Sequence, residues 1–131
     1  MLAHFEKGLH MSFSIVAIAT SIAGLILGIG WLFAGNLLHK RWRMASTAAS
    51  LLIGRRLGAV YLGISVMLFL GRSAPPSDFR SAICAGMLMA LAFLAGLGLF
   101  ELKARRAGPG ILVSVVLEIV LAVGFAWVLR S

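Results

Sequence analysis

The residue best placed to do chemistry in this chain is Glu118, in the stretch LVSVVLEIVLAVGF, with eight or more apolar or small residues on each side. A carboxylate that deep in an apolar run is costly unless it is paired or protonated, and such a residue defaults to a functional role. Its natural partners are the adjacent arginines of LLIGRRLGAVYLGISVMLFLG, Arg55 and Arg56, with Tyr61 as a further hydrogen-bond donor. If the two helices run in the same direction, Arg56 lies fifteen residues before Gly71 and Glu118 eleven before Leu129. At 1.5 Å per residue that is an axial offset of about 6 Å, which an extended arginine covers. Beside arginine the carboxylate stays ionised; without it, burial favours the neutral acid. Such a site has three readings: an ion pair that sets helix register, recognition of a polar headgroup or small ligand, and handling of protons or ions.

Other reactive groups lead to less. Cys84 is the single cysteine, so no intrachain disulfide or cysteine-based metal site is available, and its expected role is a small packing residue. His4, His10 and His39 lack metal-ligand spacing. Glu101, at the end of an apolar run, is expected to pair with Arg105 at i+4. No phosphate-binding glycine loop, nucleophile and base set or haem or iron–sulfur pattern occurs. The expectation is a non-enzymatic protein without a metal or other cofactor.

The elements that carry these residues are apolar runs of membrane-spanning length. Of 131 residues, 61% are hydrophobic and 12% charged, about half the charge of a soluble domain. A soluble fold of this size has too much surface to hide so much apolar area. Four runs near the roughly 20 residues needed to cross a bilayer are expected as helices at about 11–34, 48–71, 81–102 and 110–129. The fold class is therefore all-α, a single integral membrane domain forming a four-transmembrane-helix bundle. The first run is too long for a signal-peptide core of about 7–15 residues and is expected to remain as a helix. Pro75–Pro76 interrupts the chain before Ser77, a ready helix cap, and Gly108–Pro109–Gly110 breaks it before the last run.

The second run also explains why its arginines are ambiguous. From Leu57 to Gly71 there are fifteen residues, about 22 Å of helix and too short to span. The helix must begin near Ala48, which leaves two arrangements: Arg56 inward toward Glu118 with Arg55 snorkelling, or both at the interface.

The net charge of +8 sits at the ends of the runs, where Lys and Arg set topology and meet anionic headgroups rather than nucleic acid. The first loop, counted through Arg56, and the third loop carry eight of the twelve Lys and Arg residues, which puts them in the cytoplasm and both termini outside. Lys40, Arg41, Trp42 and Arg43 in the first loop suit a headgroup-level segment or an ordinary stop-transfer cluster.

Small residues supply the packing surfaces that lipid-embedded helices need. Ser14, Ala17, Ser21, Gly24 and Gly28 recur at alternating spacings of three and four. Gly54 and Gly58, then Ala59 and Gly63, follow in the second helix, and Ser114, Ala122 and Ala126 share a face with Glu118 in the fourth. More seams than one bundle consumes would leave a face for another chain.

The stretch GRRLGAVYLGISVMLFLGR, with RSAICAG and AGPGILVSVVLEIVLAVGFAW, resembles a group of small, uncharacterised four-helix bacterial inner-membrane proteins. The likeness covers roughly residues 54 to 127: an Arg-Leu-Gly opening of the second helix and a Glu in the fourth. It implies the four-helix fold and a bacterial inner membrane, and no activity. The reading that combines these features is an accessory or assembly subunit that packs against other transmembrane subunits, or against itself as a homo-oligomer, among anionic lipids. Its rival is a small oligomeric transporter or channel using an Arg and Glu118 site.

Overall fold

The structure, a computed structural model, describes the backbone of residues 2–130 and the side chains of residues 13–130. The side chains of His4, Glu6 and His10 lie outside the described residues. The chain is all-helical among the described residues: α1 (Leu2–Phe33), α2 (Gly35–Arg41), α3 (Ala48–Leu70), α4 (Asp78–Lys103) and α5 (Ile111–Arg130). Four segments are long and apolar enough to cross a membrane, Phe13–Phe33 within α1 and the whole of α3, α4 and α5. The short α2 occupies the first loop.

Local chemistry sets the boundaries. Thr47 starts α3 with a reciprocal cap: its Oγ1 accepts from the Ser50 N–H at 3.0 Å while its own N–H donates to Ser50 Oγ at 2.8 Å. Ser77 Oγ caps α4 by accepting from the Arg80 N–H at 3.1 Å. The helices α2 and α4 end in the same six-residue motif. The Met44 and Arg106 N–H groups reach back to the carbonyls of His39 and Glu101, and Arg43 and Arg105 to those of Lys40 and Leu102. The left-handed position of each motif is an arginine, Arg43 at φ 56° and Arg105 at φ 60°, where glycine is the usual residue.

Helix α1 packs along α3, and α4 along α5, giving two antiparallel hairpins. The hairpins meet mainly where α1 touches α5, and no comparable packing joins α3 to α4. The order around the bundle is therefore α3, α1, α5, α4, with α4 and α3 the least closely packed neighbours.

The α1–α3 hairpin is built on glycine. At Gly28 and Gly58 an added Cβ would meet the other residue's carbonyl oxygen at 2.9 and 2.7 Å, so these backbones approach as only glycine permits. Ser21 Oγ donates across to the Ser65 carbonyl at 3.0 Å. The two loops of the hairpins dock at one end through the Gly108 N–H, which donates to the Trp42 carbonyl at 2.7 Å. A side chain at Gly108 would strike Arg43, and one at Gly110 the Arg41 carbonyl oxygen.

The two ends of the bundle differ. Around the 71–77 connection, Phe13, Ala17, Leu68, Cys84, Leu91, Leu121 and Phe125 form one core to which all four long helices contribute. At the docked-loop end the helices enclose space instead.

Candidate functional site

That space is a cavity of about 280 Å³ reaching from Glu118 to the docked loops. Its walls are apolar and aromatic: Leu27 and Trp31 of α1, Leu57 and Tyr61 of α3, Leu94 and Gly98 of α4, Ile111 and Val115 of α5. Trp42 lines it at the loop end, its ring meeting Trp31 edge-on at 5.4 Å between centroids. Trp31 also meets His39 at 5.5 Å, and His39 Nδ1 is 2.8 Å from Ser46 Oγ.

The polar groups in the walls are few. Ser114 lies one turn before Glu118, and its Oγ donates to Glu118 Oε1 at 3.0 Å. The other carboxyl oxygen, Oε2, is buried and has no hydrogen-bond partner. Glu101 reaches the cavity from the loop end but is already held: Arg106 Nε and Nη2 donate to its two oxygens at 2.7 and 3.0 Å. Those hydrogen bonds, with the attraction of the charges, hold the Arg106 guanidinium proton above its ordinary range. Among the described residues no Lys, Arg or His lines the cavity.

The expected approach of Arg56 to Glu118 does not occur. Arg55 and Arg56 are both exposed, and the ion pair among the described residues is Arg106–Glu101. The reason is azimuth. The α1-facing side of α3 runs Gly54, Gly58, Tyr61, Ser65, and Arg56 sits two residues from both glycines, about 200° around the helix. Arg56 therefore stands on the wrong face of α3 to reach the acid. Tyr61, on the inner face, does share the cavity with Glu118. Glu101 pairs with Arg106 rather than Arg105, because the left-handed turn at Arg105 carries the following residue back over the helix end.

Most of the expected small-residue surface is used inside the chain. Ala17 and Ser21 are buried, Ser14 is half-buried, a Cβ at Gly24 would collide with Ser65 Oγ, and Gly54 lies under the Trp31 ring. Gly63 differs: it is exposed, with nothing within 4 Å of where a Cβ would sit. In the first loop Lys40, Arg41 and Arg43 are exposed, while Trp42 turns inward to the cavity instead of standing with them.

Two residues gain roles that sequence reasoning had not assigned. Ser114, expected as a packing residue, is the partner of Glu118, and the i, i+4 spacing was the available signal. Arg80 falls just before the third apolar run expected from the sequence, which begins at about residue 81. It is 6% exposed, with Nη1 donating to the Ala74 carbonyl at 3.0 Å and its guanidinium 4.6 Å from the Phe13 ring centre. Its position one turn after a capping serine carries no signal of burial.

Among the described residues no three His, Cys, Asp or Glu side chains come together as a metal-binding group. Compared with protein-family models, curated proteins and solved structures, the chain matches none. Fold and site together define a small membrane-spanning helical bundle with a cavity that holds Glu118.

Proposed function

We propose that this chain is a non-enzymatic accessory subunit that acts by packing its outer helix faces against transmembrane helices of another polypeptide. One observation carries the reading. Gly63 of α3 and Gly86 and Gly96 of α4 have no neighbour within 4 Å of a Cβ position, and each follows an exposed alanine by four residues (Ala59, Ala82, Ala92). Glycine inside a helix costs about 1 kcal/mol relative to alanine, and small residues four apart are what lets membrane helices approach closely. A face that meets only lipid gains nothing from them.

The proposed setting is a bacterial inner membrane with the docked loops in the cytoplasm. The docking of Trp42 to Gly108 supports one shared side for the two most basic loops. Arg43, Arg105 and Arg106 line one surface hollow there, and with exposed Lys40 and Arg41 they form a surface for anionic headgroups. Gentle extraction followed by native mass measurement tests the subunit reading. The expected species contains a second membrane polypeptide, which Gly86→Leu or Gly96→Leu displaces; a lone monomer, or an assembly of this chain alone, overturns it.

A second reading, a small transporter, is favoured by Glu118 in its cavity, now without the arginine first assigned to it. It requires flux into reconstituted vesicles that Glu118→Gln abolishes.

A further inference from the structure

We infer that the cavity at the docked-loop end is a binding site for a hydrophobic organic cation, a small aryl or alkyl body carrying an ammonium group, with Glu118 as its counter-ion. The inference goes beyond the packing role. It uses the cavity of the transporter reading but does not require flux.

The walls select for such a molecule in three ways. A volume of about 280 Å³ is at the lower edge of the roughly 300–1,000 Å³ typical of ligand sites, enough for a single substituted ring. Leu27, Leu57, Leu94 and Val115 give it an apolar body-binding surface. Trp31, Trp42 and Tyr61 add aromatic rings, which attract a cation held against their faces.

Charge then decides among the ligands of that shape. Among the described residues, the titratable side chains lining the cavity are two carboxyls and the Tyr61 phenol, with no Lys, Arg or His. Glu101 is neutralised by Arg106, so the unsatisfied group is Glu118 Oε2, with Oε1 steadied by Ser114. An apolar ligand leaves that oxygen unpaired, which is costly in a buried site, whereas a neighbouring cation favours the ionised form of the carboxyl and an anion disfavours it. A cation supplies the missing partner and takes the gain of a charge-assisted contact.

Access follows from the fold. Exposed Lys40, Arg41, Arg43 and Arg105 guard the aqueous end and repel cations. The side between α4 and α3, where neighbouring helices approach least closely, is the proposed route from the lipid. The ligand enters from the membrane, body first.

The test uses the full chain in lipid nanodiscs of zwitterionic phospholipid, with radiolabelled benzyltrimethylammonium as probe, benzenesulfonate as its anionic counterpart, and empty discs as background. Equilibrium dialysis is expected to show one saturable site per chain for the cation and none for the anion. Glu118→Gln, which keeps an acceptor for Ser114, is expected to weaken cation binding at least ten-fold, and Ser114→Ala several-fold. Absence of saturable cation binding above empty discs overturns the proposal, as does cation binding by Glu118→Gln equal to wild type. Equal binding of benzenesulfonate by the unaltered protein overturns it without any variant. Because discs have no compartments, none of these results bears on flux or on the partner chain.

Discussion

The two halves of this bundle solve the same packing problem differently. Around the 71–77 connection, Phe125, Ala17 and Cys84 are fully excluded from solvent, and residues from all four long helices fill the centre. At the docked-loop end the glycines of α1 and α3 bring one hairpin tightly together, and the other hairpin stands away from it. The hollow that results holds the acid. In lipid the gain from burying apolar surface is small, so helices stay together only where side chains interlock. A half that does not interlock is therefore a place where structure has been given up for something else, and the carboxyl without a full set of partners lies there.

The sharpest way to break this contrast is to truncate one residue in each half. Phe125→Ala is expected to lower stability by about 2–3 kcal/mol, below the ~3–5 of soluble cores because lipid still solvates the exposed surface. Leu94→Ala, on the cavity wall, is expected to cost about 1 kcal/mol or less, since its site is already partly empty. Thermal unfolding of both variants in one mild detergent reads the difference. Equal losses end the distinction between a filled and a hollow half.

The next largest effect separates the hairpin from the hollow. Gly58→Ala pushes a methyl against the Gly28 carbonyl oxygen, and backbone cannot yield as a side chain does. A cost of about 1–3 kcal/mol is expected from overpacking, whereas Gly63→Ala, with open space around it, is expected to gain a few tenths up to about 1 kcal/mol from helix propensity. Opposite signs in the same unfolding assay are the expected outcome.

Smaller still is the effect of Arg56. Because it faces outward, Arg56→Ala is expected to change stability by no more than about 0.5 kcal/mol, and its effect to add to that of Glu118→Gln without coupling. A measured coupling above about 1 kcal/mol in the double-mutant cycle would restore the arginine to the acid site. Smallest is Arg105→Gly, at the left-handed position that ends α4. It relieves a left-handed backbone penalty of about 1–2 kcal/mol but adds glycine's unfolded-state freedom and loosens the neighbouring exposed Glu101–Arg106 pair, so a net change near zero or slightly stabilising is expected.

How much of this was legible beforehand differs by residue. The α1 seam read directly as a packing face, because alternating steps of three and four can only be one stripe on a helix. The same rule contained the outward position of Arg56, since it lies two residues from Gly54 and Gly58. Reach along a helix axis says nothing of rotation about it. Trp42 was read as headgroup-facing because its neighbours are basic; the contact that turns it inward comes from Trp31, at the far end of another helix. Arg80 was invisible as a buried group for the same reason, since the Phe13 ring beneath it belongs to α1.

What the chain's sequence determined by itself is the class of fold and the depth of each residue along its helix. Both depend on quantities local to a segment: the apolar length set against bilayer thickness and a rise of 1.5 Å per residue. What only the tertiary structure decided is which faces meet. The loose approach of α4 to α3, the pairing of Glu118 with Ser114 instead of Arg56, and the cavity itself depend on how two hairpins rotate and tilt against each other. That choice is made by contacts between residues far apart in the chain, and small residues permit several such packings of similar energy, so no spacing within one segment could have settled it.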